Sequence, residues 1–431
     1  MRFIKEHFVV AATAAFTIAQ LLCLVVWGYT PYPDSDGYLS LACESIAQGG
    51  LYPTAGQMKE IPFIWNLGSI NTLVLSRMLF GTFIPVHILF ILMKGLSAWL
   101  VYHIAIHLTN SKAALLSFIL YLIYPASYGE ANSYLSEVPF TFFSLLTVYL
   151  FLKERYSGSG LSLGIANWYR PLGIILLIIL LLSLLYKKRQ ALRPLCSILG
   201  VYIIVNLSIA AFNYQQTGYF FANAQTGWMA LLQYSWDNDT DKQADYTLFE
   251  HNDPMYIPDN EHTDPISRNA QWRTNFFKWI SRNKMEYVKQ MPKKLVKTYV
   301  SDNTTFCTFL PQSYKQHAEY LYAPVSMPVL IKSFPRYSAL QWLVVYNLLY
   351  YYLLLVLAAV GTCILLKAKD THTTLITAGT ILLYSLFLIV LGHGETRFHI
   401  PLMPYVIILA SIALMQAKSR LSKSIRKVKL S

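Results

Sequence analysis

The sequence is poor in charged residues. Only 13% of its 431 residues are Asp, Glu, Lys or Arg, whereas about a quarter of a soluble globular protein is charged. This scarcity excludes an ordinary soluble protein. Hydrophobic residues make up 55% of the chain and the mean hydropathy is +0.39, which indicates a membrane protein with several spans. Aromatic residues, at 15%, are abundant enough for interfacial belts as well as a core.

Cysteine is also scarce, and the five cysteines form no CxxC pair. Neither a disulfide framework nor a zinc knuckle follows from such spacing, although Cys43 and Cys307 both fall on the predicted outer side, where a disulfide between them is possible. The chain has no Walker loop, no GxSxG elbow and no dinucleotide-binding fingerprint. Nucleotide-driven transport therefore has no support within this chain.

Apolar runs of the length that crosses a bilayer predict an all-α polytopic membrane protein with about ten transmembrane helices. The first run follows Arg2 and Lys5 and is longer than the apolar core of a signal peptide, so we expect it to remain as the first span. The ten runs lie near residues 8–29, 83–108, 112–128, 138–152, 161–170, 171–186, 195–214, 338–366, 372–391 and 398–416.

The positions of Lys and Arg orient these spans. With the N-terminus inside, the predicted inner segments carry 17 Lys and Arg residues and the short outer segments carry 4. Such an asymmetry is typical of a protein of the inner, or cytoplasmic, membrane with both chain ends in the cytoplasm. The net charge of +13 is thus mainly a topology signal and does not indicate a nucleic-acid partner.

The predicted topology divides the chain into three parts. Residues 1–216 form a membrane module with outer loops, residues 217–337 form an extracytoplasmic insertion, and residues 338–431 form the last membrane helices with a basic cytoplasmic tail. Within the insertion, the acidic stretch 237–265 is typical of a solvated loop. Residues 276–300 mix apolar and basic side chains, which predicts an interfacial helix interrupted or entered again at Pro292. Its basic face would contact anionic lipid head groups or a lipid-linked substrate, or would merely be solvated.

Two carboxylates follow the first span directly. Asp34 and Asp36 lie close to the predicted outer surface, where a carboxylate is costly unless it is solvated or used. On an extended backbone the two side chains would face the same way, whereas on a helix they point nearly opposite ways, so that one can act while the other supports it. The apolar positions from Tyr38 onward predict a short helix along the membrane surface, ending at Gly49 and Gly50.

Three further segments at the predicted outer face carry charged residues. Glu130 and Glu137 lie in the second outer loop, and the dipole of the following helix would by itself favour an acid at Glu137. Glu395 and Arg397 open the last span, and Arg170 lies at an outer turn. Arginines here depart from the charge asymmetry, which phosphate pairing would explain. A salt bridge, snorkelling to the head groups or interfacial anchoring are the alternatives. No metal-ligand set is evident.

Taken together, these motifs resemble those of the GT-C-type membrane glycosyltransferases, in particular the protein O-mannosyltransferases and the lipid A aminoarabinose transferases. The resemblance implies a GT-C-like fold with juxtamembrane helices on the outer face. The segments that carry it are Asp34 to Ala42, Ser136 to Pro139, Gly164 to Pro171, and Glu395 to Phe398 with Pro401.

The resemblance also implies an activity, which is the inverting transfer of a sugar from a polyprenyl-phosphate donor to a glycan, lipid or protein acceptor on the outer face. Asp34 would be the general base, and Asp36 and Glu137 would orient the acceptor or a cation. Many relatives carry two adjacent acids at the first motif, whereas Ser35 separates them here. Which aspartate is the base, and whether a divalent cation assists, therefore stays open. No other cofactor is implied.

The same resemblance assigns the substrate-binding positions. Arg170 and Arg397 would hold the lipid phosphate, while Tyr38 and Glu395 belong to the same motifs and are expected to contact substrate.

Other functions share some of these features. A transporter or flippase for the same lipid-linked sugar would need charges along a path through the membrane, but only Lys94 lies well inside a predicted span. An enzyme that ligates or polymerises glycans from polyprenyl pyrophosphate would share the large outer loops and cationic contacts, and the pattern from Asp34 to Ala42 favours the transferase. A non-catalytic receptor gains weight only if the outer acids are dispensable.

Overall fold

The computed structural model describes residues 2–186, 192–236, 253–258, 264–302, 308–309, 339–392 and 394–428. Within these ranges every regular element is helical, as predicted. The α-helices are α1 (Arg2–Trp27), α2 (Pro33–Ala47), α3 (Leu67–Phe80), α4 (Ile84–Leu108), α5 (Ser111–Leu122), α6 (Glu137–Leu152), α7 (Tyr156–Tyr169), α8 (Gly173–Tyr186), α9 (Leu192–Thr217), α10 (Gly227–Trp236), α11 (Pro265–Arg282), α12 (Lys284–Tyr299), α13 (Ala339–Ala368), α14 (Thr371–Thr374), α15 (Thr380–Leu391) and α16 (Met403–Val428).

Shorter elements connect these helices. A π-helical turn, Leu375–Gly379, joins α14 to α15, so that the two continue as one span. The 3₁₀ helices are Gln57–Lys59, Pro125–Ser127, Glu130–Asn132 and Thr396–Leu402.

Six helical segments of the described chain are long and apolar enough to cross a membrane. A seventh crossing would combine the 3₁₀ turns at Pro125–Asn132 with α6, which meet at a bend of 115°. Each of the ten apolar runs overlaps a helix, whereas α3 is an apolar helix within a predicted outer loop. A multi-pass helical protein is therefore confirmed, and the count of about ten spans stays a prediction. The six segments are Lys5–Trp27, Ile84–Leu108, Leu192–Thr217, Trp342–Ala368, Thr371–Leu391 and Thr396–Ser419.

The helix that follows the first span is confirmed, and it starts earlier than the apolar pattern indicated. Pro33 is its first residue, where the fixed φ of proline suits a helix and the missing N–H needs no partner. Asp34 and Asp36 consequently lie in the first turn, where the helix dipole favours carboxylates. The helix ends at Ala47, and Gly49 then takes a left-handed φ of +74°.

The main core lies between α4, α5, α6, α8, α13 and α16, and glycines let some of the helices approach closely. On α7, a Cβ at Gly160 would lie 2.5 Å from the carbonyl oxygen of Ile198, and Gly164 packs in the same way on Val205. Small residues four apart are typical of contacts between membrane helices. On α13, a Cβ at Gly361 would lie 2.1 Å from the carbonyl oxygen of Leu409 on α16.

The insertion contributes a small core of its own, in which aromatic residues of α11 and α12 pack on α10. The prediction that its amphipathic helix breaks at Pro292 is wrong. The break lies at Asn283, whose side chain donates to the carbonyl oxygen of Trp279. A turn there lets Phe276 and Tyr287 pack together, with 5.9 Å between ring centroids. Most of the acidic stretch 237–265 lies outside the described residues.

The close approach of α13 and α16 can be tested with a pair of glycine substitutions. Gly361→Ala should destabilise the protein by about 1–3 kcal/mol because the new methyl group overlaps the backbone of α16. On α9, a methyl group at Gly200 would meet no atom within 4 Å, so Gly200→Ala is the matched control and should be neutral or slightly stabilising. Thermal unfolding in detergent, followed by size-exclusion chromatography, compares the two. Equal melting temperatures would contradict the packing described.

Candidate active site

Five charged side chains from four parts of the chain meet at the end of the bundle that carries α2. Asp34 comes from α2, Glu137 is the first residue of α6, Arg170 lies between α7 and α8, and Glu395 and Arg397 lie just before α16. Residues far apart in sequence thus form one ionic cluster, which we call the charge cluster. All five were predicted as site residues, and the fold brings them together.

Arg397 is at the centre of this cluster. Its Nη2 atom donates to Asp34 Oδ2 at 2.5 Å and to Glu395 Oε2 at 3.1 Å. Its Nε atom lies 3.0 Å from Glu395 Oε1 and 3.6 Å from Glu137 Oε1. One guanidinium group therefore joins three carboxylates, a task that suits the planar, multiple-donor head of arginine and not the point charge of lysine.

Glu137 is held between two arginines. Arg170 Nη1 lies 2.6 Å from Glu137 Oε1, the same oxygen that faces Arg397. The Glu137 side chain is only 3% exposed, and a carboxylate at that depth is costly unless cations compensate its charge. Both guanidinium groups also lie near the ring of Phe398, at 4.5 Å for Arg170 and 5.7 Å for Arg397. The buried half of the charge cluster is thus rigidly paired.

Asp34 is the accessible carboxylate of the cluster. Its side chain is 37% exposed, compared with 18% for Glu395 and 3% for Glu137. Its ion pair within the cluster is the one with Arg397. Asp34 can therefore meet a ligand that enters from solvent, whereas Glu137 cannot do so without a rearrangement.

Asp36 lies apart from the charge cluster, as the helical arrangement predicted. Its Oδ1 atom accepts a hydrogen bond from the Tyr29 hydroxyl at 2.6 Å. The same hydroxyl lies 2.9 Å from Ser35 Oγ, which accepts the backbone N–H of Tyr134 at 2.8 Å. Burial, together with the bond to Asp36, raises the pKa of Tyr29. These contacts fix α2 against the loop before α6, so Asp36 helps to position this helix.

Tyr38 lies behind the charge cluster. Its hydroxyl accepts a hydrogen bond from Asn66 Nδ2 at 2.8 Å, and Asn66 Nδ2 also reaches Ser136 Oγ at 3.3 Å. Burial raises the pKa of Tyr38, and the negative charges of Asp34 and Glu137 raise it further. Asn66 was not predicted as a site residue, because a single asparagine in a long outer loop carries no motif.

The structure also adds Tyr234 of α10, which belongs to the predicted insertion. Burial raises its pKa, as do the nearby carboxylates of Glu395 and Asp34. Its position beside the cluster could not be read from sequence, since the chain from α9 to α12 shows no recognisable motif. A residue of the insertion therefore lies near the charge cluster.

A second buried ion pair lies close by. Lys94 Nζ of α4 donates to Glu130 Oε2 at 2.6 Å, and both side chains are almost fully buried. A small cavity is lined by Glu130, Glu137, Arg397 and Thr308 among others. From sequence, Lys94 and Glu130 stood out separately, and their pairing gives this buried lysine a structural partner.

Helix α12 holds both flanks of the segment that carries Glu395 and Arg397. On the preceding side, the Lys294 amine donates to the carbonyl oxygen of Gly392 at 2.9 Å and to Ser235 Oγ at 3.3 Å. On the following side, His399 Nδ1 lies 2.9 Å from the carbonyl oxygen of Thr298. The position of Arg397 thus depends on a helix of the insertion.

Gly394 makes the contact with α12 possible. A Cβ at this position would lie 2.0 Å from the backbone oxygen of Lys294. The glycine before Glu395 is therefore required by backbone packing and not by turn geometry.

No group of three or more His, Cys, Asp or Glu side chains in the described part of the chain is arranged to hold a metal ion. The carboxylates of the charge cluster face guanidinium groups. Cys43 is a free, exposed thiol, and Cys307, its possible partner, lies outside the described residues.

Comparisons with known proteins bear on this geometry. A family model of the Alg9-like mannosyltransferase family matches residues 337–430, which include Glu395 and Arg397. A protein of Aquifex aeolicus (strain VF5), named only "Uncharacterized protein", is 30% identical over 125 residues, which is 28% of this chain and 28% of that protein.

Two solved structures from Archaeoglobus fulgidus are similar over nearly the whole chain. The oligosaccharyltransferase in its apo form covers 99% of this chain with a TM-score of 0.54 and 11% identity. The oligosaccharyltransferase AglB in complex with an inhibitory peptide and a dolichol-phosphate covers 98% with a TM-score of 0.51 and 11% identity. This chain spans about half of each, 53% and 52% respectively.

The resemblance to the GT-C-type glycosyltransferases is confirmed. At 11% identity the structural likeness shows the fold alone, and the family match adds the last membrane helices together with their Glu395–Arg397 motif. The charge cluster lies at the end of the helix bundle where the sequence motifs that resemble those of the GT-C-type enzymes come together.

The buried lysine of α12 gives a prediction about pH. Burial lowers the pKa of Lys294 from its ordinary value of 10.5 to about 8. Between these two values the unfolded chain binds more protons than the folded one, so the stability of the folded protein should rise with pH over this window. Melting temperatures in detergent between pH 7.5 and 10 should show this rise in the wild type and a smaller rise in Lys294→Met.

Lys278→Met is the control, because Lys278 is an exposed lysine on α11. Its melting curve should follow that of the wild type across the pH range. Parallel curves for the wild type and Lys294→Met would show that Lys294 titrates as an ordinary surface lysine, contrary to its burial.

Proposed function

We propose that this chain is a GT-C membrane glycosyltransferase that transfers a sugar from a polyprenyl-phosphate donor to a glycan, lipid or protein acceptor. The observation that carries the proposal is the charge cluster, in which an accessible carboxylate, Asp34, is paired with Arg397 at the end of a GT-C-like bundle. The Lys and Arg asymmetry of the sequence supports a position of this end at the outer face of the cytoplasmic membrane.

The accessible carboxylate would act as the general base. An acceptor hydroxyl attacks the anomeric carbon of the donor while its proton passes to Asp34. The bond between the anomeric carbon and the phosphate oxygen breaks at the same time, and its electron pair leaves with the lipid phosphate. A single displacement of this kind inverts the configuration at the anomeric carbon.

Arg397 would stabilise the leaving phosphate. A phosphate group can replace Asp34 as a partner of Nη2, because charge-assisted bonds from arginine suit both groups. The exchange would free Asp34 from its ion pair at the moment the donor binds, and so make the base available only in the loaded enzyme. During this exchange Arg170 would continue to compensate the charge of Glu137, since its Nη1 atom lies 2.6 Å from Glu137 Oε1. This mechanism routes no step through a metal ion.

A polyprenyl-type donor has independent support. One of the similar structures is a complex that contains a dolichol-phosphate, and dolichol-phosphate is a lipid phosphate of the class proposed here. The matched family is described as mannosyltransferases, which supports a hexose as the transferred sugar.

Substitution of the two aspartates of α2 tests the assignment of the base. In cells that lack the gene, Asp34→Asn should fail to restore the glycosylated product, with transfer reduced at least about 100-fold, because the amide cannot accept the proton. Asp36→Asn is the matched control, since Asp36 contacts Tyr29 and not the charge cluster. It should retain most of the activity. Mass spectrometry of lipid-linked sugars and surface glycans measures both donor and product.

Full rescue by Asp34→Asn, with the variant present in the membrane at the wild-type level, would contradict the assignment of Asp34 as the general base. Transport of the lipid-linked sugar would then become the better explanation. A strong loss in Asp36→Asn alone would move the role of base to Asp36.

A further inference from the structure

Helix α12 presents two faces of different character. One face is buried against the protein and carries Tyr287, Gln290, Lys294 and Thr298. The other side is exposed and yet apolar. Met285 is 70% exposed, Val288 52%, Leu295 41% and Val296 57%.

The exposed apolar residues form one continuous strip. At 100° of rotation per residue, Met285, Val288, Leu295 and Val296 fall within a sector of about 100°, opposite the buried face. We call this sector the apolar strip. Lys284 and Lys289 are exposed and lie at its two edges. Apolar centres with lysines at the margins are typical of helices that lie in a membrane interface.

The contacts of α12 with α15 fix its depth in the bundle. The Tyr287 hydroxyl donates to the carbonyl oxygen of Val390, and the Tyr299 hydroxyl lies 2.6 Å from Ser385 Oγ. Val390 and Ser385 belong to the last turns of the candidate span Thr371–Leu391. Helix α12 therefore runs beside the end of a membrane span, at the level where acyl chains meet head groups.

We propose that α12 is docked on the lipid bilayer through the apolar strip, with Lys284 and Lys289 bound to the phosphates of anionic lipids. At this depth the apolar strip would face lipid acyl chains. Burial of its four apolar side chains among them is favourable. The long stems of the two lysines allow their amines to reach the head groups from the edges of the strip. This surface is distinct from the charge cluster and does not depend on the proposed activity.

Spin labels at two positions of α12 test the insertion of the strip. The full chain, with its native cysteines replaced, is reconstituted into nanodiscs of phosphatidylcholine and phosphatidylglycerol. A label at Val288→Cys should be relaxed by oxygen, which partitions into lipid, and protected from a water-soluble nickel complex. A label at Glu286→Cys, an exposed polar position of the same helix, should show the opposite preference.

A charge reversal tests the lipid specificity. Lys289→Glu should lower the enrichment of phosphatidylglycerol around the reconstituted protein by about fivefold, as measured by lipid mass spectrometry after dilution into mixed lipid. Lys59→Glu changes the net charge equally at an exposed lysine outside α12, and it should leave the enrichment unchanged. Equal nickel accessibility at positions 288 and 286, or equal lipid enrichment in the two charge variants, would overturn the proposal. Transferase activity is not needed for either readout.

Discussion

The site depends on the guanidinium group of Arg397. Its partner Asp34 lies 363 residues away in sequence, so the first turn of α2 and the segment before α16 must be brought together before the ion pair can form. Glu137 and Glu395 complete the shell around the same group. Since none of the buried charges would be stable alone at this depth, the arrangement of the membrane helices and the arrangement of the charges support each other.

Two buried carboxylates near the site, Glu137 and Glu130, have cationic partners, and this pairing explains how a membrane protein accommodates them. Arg170 compensates Glu137, and Lys94 compensates Glu130. Breaking such a pair leaves an uncompensated charge in a medium of low dielectric constant, which is far more costly than removing both partners. Asp34 also has a cationic partner, Arg397, but its side chain is 37% exposed, so solvent shares in its stabilisation. Accessibility, and not charge alone, therefore sets Asp34 apart from its neighbours.

The insertion between α9 and α13 has a larger part in the site than its loop-like sequence indicates. Tyr234 lies near the charge cluster. Lys294 holds the backbone of Gly392 before Arg397, and the carbonyl oxygen of Thr298 contacts the His399 side chain after it. Helix α12 thus contacts the segment that carries Arg397 on one face and presents an apolar strip on another. The geometry of the charge cluster therefore depends on this helix as well as on the transmembrane bundle.

Sequence alone determined the class of the protein, its helical runs and its charge asymmetry, and it singled out the five charged residues that meet in the charge cluster. These features can be read from short stretches of sequence. The length of an apolar run decides whether a helix can cross a bilayer, and a motif is recognised by the spacing of a few neighbouring residues. The separation of Asp34 from Asp36 also followed from helix geometry. Tertiary structure decided which carboxylate meets which arginine, that Lys94 pairs with Glu130, and that the helix break falls at Asn283. The ion pairs depend on contacts between distant segments, and the break at Asn283 depends on side-chain contacts between the two helices that flank it. Periodicity within a segment encodes neither.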